Sequence, residues 1–292
     1  MKYTSYLLPI LLLFLVACKP QNDTADAYGN FEAIEVIVSA ESSGRILSFI
    51  PEEGDELQKD QVSVTIDTTQ LYLNKVALKS GFSSLSSRIL TLDAQLHASR
   101  VQLDNLNREK ARIDKLVEGG AATSKQQDDI HGQVSLLEAQ MAATASQKDA
   151  VYAERLTLEV QISQVDDQLA RCAIRNPMNG TLLTKYREQS EMTAPGQPLF
   201  KMADMKELIL RAYVSGDQLS SVKTGGTVTV KFDAEQGMKE TTGLVSWVSP
   251  RAEFTPKIIQ TREERVNLVY AIKVVVPNDG SLKIGMPGEV VF

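Results

Sequence analysis

Two long heptad patterns separated by one short break restrict this chain more than any other feature. In the first, Leu71, Leu78, Phe82, Leu85, Ile89, Leu92, Leu96, Leu103, Leu106, Ile113 and Val117 recur at heptad spacing. In the second, Ile130, Val134, Leu137, Met141, Val151, Leu158, Ile162, Val165 and Leu169 do the same. Such spacing under-winds a helix so that one seam stays turned toward a partner. Ser99, Lys110, Thr144, Lys148 and Arg155 interrupt the seam, so it is not uniformly dry. Arms of about 45 residues at 1.5 Å per residue reach roughly 65–70 Å. A helix pair that long and thin is a spacer and not the core of an enzyme.

The break reads "LVEGGAATSKQQDD", residues 116–129. Gly119-Gly120 ends the first arm, because glycine tolerates the left-handed conformation that closes helices. Thr123 or Ser124 restarts the second, with Gln126 or Gln127 placed for a capping box. A corner this small suits the far end of a spacer that must fit into a partner.

Composition removes several classes of function. The formal charge is −6, the pI is near 5.2 and no Lys/Arg-rich block occurs, so no nucleic-acid partner is expected. One tryptophan and 6% aromatics give little for stacking on sugars or bases. The two histidines, His97 and His131, both lie in the helical arms, read as solvated helix residues, and build no nucleophile–His–acid set. Asp114, Glu118, Asp128 and Asp129 lack the alternating oxygen ligands and tight glycine loop of a cation site and read as a solvated acidic face. Met178, Met192, Met202 and Met205 straddle strands and turns, where core filling is preferred over metal transfer. No catalytic residue, metal or cofactor is assigned.

The N-terminus points to export. Lys2 precedes an apolar run from Leu7 to Ala17, too short for a hydrocarbon layer of about 30 Å, so residues 1–17 read as a signal peptide. Leu15-Val16-Ala17-Cys18 resembles the bacterial lipobox, and the resemblance implies that Cys18 is acylated and becomes the first residue. Residues 18–30 then form a lipidated, polar tether. Only Cys172 remains, as a packed small hydrophobe, and no internal disulfide is expected.

Two segments match at an offset of 136, one beginning at Ser43 and one at Asn179. Gly44 aligns with Gly180, Ile46 with Leu182, Glu52 with Glu188, Asp55 with Glu191, Gln61 with Gln197, Val64 with Phe200 and Ile66 with Met202. Each copy has short alternating strands broken by Gly, Pro and acidic turns. The halves resemble the biotinyl/lipoyl fold, but no Met-Lys-Met hairpin joins them, so no lipoyl or biotinyl lysine is expected. The helical arms are inserted instead.

Taken together, the split halves, the inserted hairpin, "LILRAYVSGDQLSSVKTGGTVTVKFD" and the closing "FTPKIIQTREERVNLVYAIKVVVPNDGSLKIGMPGEVVF" resemble the periplasmic adaptors, or membrane fusion proteins, of the haemolysin-D type. The fold class that follows is α+β and elongated. A split lipoyl-like β-sandwich (31–69 and 171–204) carries an antiparallel coiled-coil hairpin (70–170, tip 117–124) and is followed by a β-barrel (205–292). The resemblance implies a partnership between an inner-membrane exporter, with the ATP-driven (ABC) type favoured, and an outer-membrane duct of the TolC type. It also implies self-association, with a hexamer favoured, and a periplasmic location with the lipid in the inner membrane. Many members carry at the tip an arginine, a leucine four residues on and a hydroxyl seven beyond that. Arg112, Leu116 and Thr123 match, with Ser124 one residue late. The alternative is an extracytoplasmic ligand- or metal-binding lipoprotein that needs no duct.

Overall fold

A computed structural model of the chain describes residues 25–234, 237–254 and 268–292. The signal peptide and the Cys18 lipobox lie outside the described residues. In chain order the strands before the hairpin are β1 (Ala27–Glu32), β2 (Glu35–Ser39), β3 (Gly44–Phe49), β4 (Glu56–Leu57) and β5 (Val62–Ile66). Helices α1 (Thr69–Glu118) and α2 (Ser124–Ala170) follow. The chain then returns through β6 (Ala173–Arg175), β7 (Gly180–Lys185), β8 (Met192–Thr193) and β9 (Pro198–Ala203). It ends with β10 (Glu207–Ser215), β11 (Thr227–Ala234), β12 (Gly237–Val248), β13 (Glu253–Phe254), β14 (Leu268–Pro277) and β15 (Pro287–Val291).

The repeat folds as two sheets that exchange strands. One sheet runs β2-β9-β7-β4 and the other β6-β5-β3-β8, so each half of the sequence lends its short turn strand to the other half's sheet. The exchange is reciprocal down to single hydrogen bonds. Ile46 N–H donates to Glu191 O at 2.9 Å, and its equivalent Leu182 N–H donates to Asp55 O at 3.0 Å. Gly54 N–H donates to Leu182 O as Ser190 N–H does to Ile46 O, both at 2.8 Å. Ile46, Val64, Ile66, Leu182, Leu199, Phe200 and Met202 fill the space between the sheets. Neither half can bury its apolar face without the other.

The halves differ where their pseudo-twofold brings equivalent residues together. Phe49 and its equivalent Lys185 stack, with Lys185 Nζ 4.6 Å from the ring centroid. The equivalent pair Glu52 and Glu188 both hold that ammonium, at 3.1 and 2.8 Å. Burial works to lower the Lys185 pKa, but the two carboxylates outweigh it and hold the group above its ordinary value.

The remaining strands close a six-stranded antiparallel barrel in the order β10-β1-β15-β11-β12-β14 and back to β10, with β13 paired to β14 beyond β12. Alternate residues point inward: Leu208, Leu210, Ala212 and Val214 of β10 meet Val230, Phe232, Ile272, Val274 and Val290. The first strand corrects the expected boundaries. Residues 27–32, assigned to the end of the tether and the start of the sandwich, pair with β10 and β15 and belong to the barrel. Phe31 is fully buried there, edge-on to Phe232 with ring centroids 6.3 Å apart. The strand reads as a linker because "AYGNFE" contributes only one bulky inward residue. Gly29 is required by close approach, since a Cβ there would lie 1.9 Å from Arg211 O. From Ala27 onward the chain therefore passes from the barrel through the sandwich, runs out along the hairpin and returns by the same route.

Four turn positions show what the repeat demands of its backbone. Gly54 (φ 96°) is equivalent to Ser190 (φ 76°), and Asp60 (φ 64°) to Gly196 (φ 84°). The same left-handed turn is thus glycine in one half and a side-chain residue in the other. A Cβ added at Gly54 or Gly196 would meet nothing within 4 Å, so any penalty there is purely conformational. Gly54→Ala and Gly196→Ala are expected to cost about 1 kcal/mol each, whereas Asp60→Gly and Ser190→Gly should be neutral or stabilise by up to about 1 kcal/mol. Thermal melting of the four variants measures this directly.

Candidate docking tip of the hairpin

The base of the hairpin is set by the sandwich. β5 leads into α1 and β6 follows α2, and the two strands pair antiparallel, with Thr65 opposite Ala173. Asp67 Oδ1 accepts from Thr69 N–H at 2.8 Å and from the Thr69 hydroxyl at 2.7 Å, which secures the start of α1. Those two bonds hold the Asp67 carboxyl below its ordinary pKa. Cys172 is buried at the other foot, its Sγ 3.4 Å from Ser42 Oγ, which fits a packing role.

The seam runs the length of both helices. Ile89, Leu92, Ile130, Val134, Leu137, Val151 and Val165 are buried, and the other seam positions named above are half-buried. The polar interruptions lie in the seam and cross it. Lys148 pairs with Asp93, and Lys75 pairs with Asp166. Arg155 lies over the rings of Phe82 and Tyr152 at 5.5 and 5.0 Å. Gly81 faces Leu158, where a Cβ would lie 3.2 Å from the leucine methyl. With 50 and 47 residues, the helices carry the tip about 70 Å from the sandwich.

Glycine chemistry closes α1. Gly120 takes φ +73°, Ala121 N–H donates to Leu116 O at 2.7 Å, and Gly120 N–H donates to Val117 O at 3.0 Å. These are the two bonds of a Schellman closure. The capping box of α2 is Thr123 with Gln126. Thr123 Oγ1 accepts from Gln126 N–H at 3.3 Å, and Gln126 Oε1 accepts from Thr123 N–H at 2.9 Å.

The four candidate tip residues do not have equal freedom. The Arg112 side chain is 68% exposed and, among the described residues, pairs only with Glu109 of its own helix, which raises its pKa. Leu116 is 41% exposed although it continues a helical pattern. Thr123 is exposed, but its hydroxyl is occupied by the cap and also lies 3.0 Å from Gln126 Oε1. Ser124 is exposed in the first turn of α2, and its hydroxyl makes no hydrogen bond among the described residues.

A polar clamp below the turn was not foreseen. Asp114 Oδ1 accepts from Gln127 Nε2 at 2.8 Å and lies 3.0 Å from His131 Nε2. His131, its side chain 43% exposed, is therefore a cross-helix partner that still faces solvent. No linear periodicity signals the clamp, because it joins α1 to α2 across the turn. The Gln127 bond, followed by the smaller His131 contribution, holds the Asp114 carboxyl below its ordinary range. The four methionines also separate. Met202 is buried and Met178 half-buried in the sandwich core, Met205 packs on the barrel core, and Met192 is exposed. The cleft at the hairpin base, about 630 Å³ and lined by Glu41, Arg45, Asp67, Gln70, Gln168 and Met192 among others, opens widely to solvent. Among the described residues no helix is long and apolar enough to cross a membrane.

No family model matches the sequence. The chain is 25% identical to a UPF0194 membrane protein from the asrC 5′ region of Acidithiobacillus ferridurans, over 90% of this chain and 85% of that protein. It is 36% identical over 117 residues to the UPF0194 membrane protein YbhG of Salmonella gallinarum, a match covering 40% of this chain and only 35% of that relative. Among solved structures it superposes on MacA from Actinobacillus actinomycetemcomitans with a TM-score of 0.60 and 20% identity, over 91% of this chain and 78% of that one. It superposes on the periplasmic adaptor protein EmrA with a TM-score of 0.50 and 14% identity, over 91% and 97%. At these identities the structural likeness establishes the fold.

Two tests follow. Gly120→Val should destabilise the tip by about 1–2 kcal/mol through the left-handed backbone alone, with the turn amides losing exchange protection. A carboxyl held low contributes stability above its ordinary pKa and loses it as pH falls through the lowered value. The clamp should therefore persist at neutral pH and open only below the usual carboxylate range. Gln127→Ala should let the Asp114 titration, followed by carboxyl NMR shifts, move up toward the ordinary value.

Proposed function

We propose that this chain, which has the fold of the periplasmic adaptor or membrane fusion proteins, links an inner-membrane transporter to an outer-membrane exit duct. The role is non-enzymatic: the chain sets a distance and presents a contact. The observation that carries it is the tip. A rigid arm of about 70 Å ends in a turn held by a Schellman closure, a capping box and a cross-helix clamp, yet it leaves an arginine and a leucine in solvent. Exposed charged and apolar side chains on such a fixed scaffold are available for a partner to cover.

Within this reading Arg112 offers guanidinium hydrogen bonds to a duct of the TolC type, and Leu116 offers a small apolar plug. Ser124 supplies the outward hydroxyl, because Thr123 is committed to its cap. The transporter is of the ATP-driven type, and the adaptor assembles as a ring of about six copies around the exported molecule's path. Cys18 carries lipid that holds the chain to the inner membrane from the periplasmic side. The cleft at the hairpin base opens widely to solvent and does not enclose a ligand, so the alternative finds less support.

Leu116→Asp should change stability by no more than about 0.5 kcal/mol, as at other surface sites, yet abolish recovery of the duct from crosslinked membranes. Leu92→Asp should do the reverse in order of cause, lowering the melting temperature first because it buries a charge in the seam. Ser124→Ala should weaken duct recovery more than the cap-preserving Thr123→Ser. A Leu116→Asp protein that melts like wild type and still holds the duct would reduce the tip to a turn. Mass spectrometry of the mature N-terminus should find acyl groups on Cys18, and Cys18→Ala should leave the precursor uncut. An unmodified N-terminus would remove the anchor.

A further inference from the structure

The outer wall of the barrel carries a groove that docking at the tip leaves unused. Outward side chains of neighbouring strands stand there in one row, fixed by the strand ladder. Tyr28 of β1 is opposite Tyr213 of β10 on one side and Glu289 of β15 on the other. Lys231 of β11 is opposite Glu289 and, on its far side, Glu240 of β12. Two residues further along β11, Asp233 turns outward opposite Met238. All of these except Glu240 border a groove of about 560 Å³, within the size range of sites that take small molecules.

Charge says what the groove takes. Lys231 is only 15% exposed and its ammonium lies 3.3 Å from Glu240, so its charge is already met. Arg211 stands beside the Tyr213 ring, 5.9 Å from its centroid, and is held by Glu253 at 3.2 Å. Asp233 and Glu289 form no ion pair among the described residues. The charge left over is therefore negative, next to two rings whose faces attract cations. Tyr28 is 57% exposed and Met238 49%, so both are open to a ligand. A cross-strand tyrosine pair also supports the sheet, but that role does not call for uncompensated carboxylates on the neighbouring strands.

We infer that this groove binds a small organic cation, an amine or guanidine carried on an aromatic or apolar body. The body stacks on Tyr28 and Tyr213. The cationic group reaches Glu289 one strand away, about 5 Å, with Asp233 and the polarisable sulfur of Met238 beyond it. A neutral molecule of the same shape keeps the stacking and loses the charge pairing, and an anion is repelled. Because the groove is open along one side, such binding exchanges quickly, unlike the capture that a scavenging lipoprotein performs. The inference concerns the barrel alone and goes beyond the docking of the tip.

The test is NMR of the full chain in lipid nanodiscs with labelled tyrosine rings, titrated with phenylbutylamine, phenylbutanol and phenylbutyrate. The amine should shift the Tyr28 and Tyr213 signals saturably and leave Tyr152, on the hairpin, unmoved. The alcohol should bind about fivefold more weakly or worse, and the carboxylate more weakly still. Tyr28→Ala should melt like wild type and weaken the amine about tenfold, read from Tyr213. Asp233→Asn together with Glu289→Gln keeps the shape of the groove and should remove the preference for amine over alcohol. Equal binding of the three probes, or a preference that survives the double variant, would overturn the inference. Shifts spread evenly over all tyrosines, as from amine dissolved in the lipid, would overturn it too.

Discussion

The structure depends on the antiparallel pairing of β5 with β6. These two short strands are the feet of the hairpin, and their ladder sets α1 and α2 side by side in one register before either helix makes a contact. Helix hairpins with a heptad seam can slip by whole turns at small cost, because each layer resembles the next. A fixed base removes that freedom. The seam charges reinforce it, since Lys75 meets Asp166 and Lys148 meets Asp93 only in this register. The feet are held in turn by the exchanged strands of the sandwich, where β4 sits on β7 and β8 on β3. Position is thus transmitted from a small core to a tip about 70 Å away.

Chemistry is divided along the arm by what each height must do. The lower stem has an apolar seam joined by a few seam-crossing charges. The tip keeps its hydrogen bonds inside the turn, where Gly120, Thr123 and Gln126 close both helices and Asp114 ties them together. Arg112, Leu116 and Ser124 stay exposed outside those bonds. A rigid presentation of few groups lowers the ordering cost of binding, which suits a small contact at the end of a long lever.

Much of this was legible because it is periodic or local. The heptads placed the apolar seam residues and the polar ones at Lys148 and Arg155, since burial in a two-helix seam follows the repeat, but not Lys75 or Gly81. The offset of 136 revealed the sandwich, and glycine followed by threonine located the turn. What escaped has no period. β1 was read as tether because its inward residues are Ala27, Gly29 and Phe31, and its place in the barrel depends on strands some two hundred residues away. The Asp114–Gln127–His131 clamp joins residues across a corner, so neither helix announces it. Which of Thr123 and Ser124 caps α2 needed the backbone geometry, because both are hydroxyls one position apart. The exchange of β4 and β8 is equally invisible in sequence, where each turn strand looks like part of its own half.

The central claim is that the exposed groups of the tip meet an outer-membrane duct. The most direct measurement places a photoactivatable residue at position 116, and separately at position 90, in intact cells and identifies the captured protein by mass spectrometry. The account predicts an outer-membrane duct from position 116 and none from position 90. Capture of the same partner from both positions, or of no outer-membrane protein from 116, would contradict it.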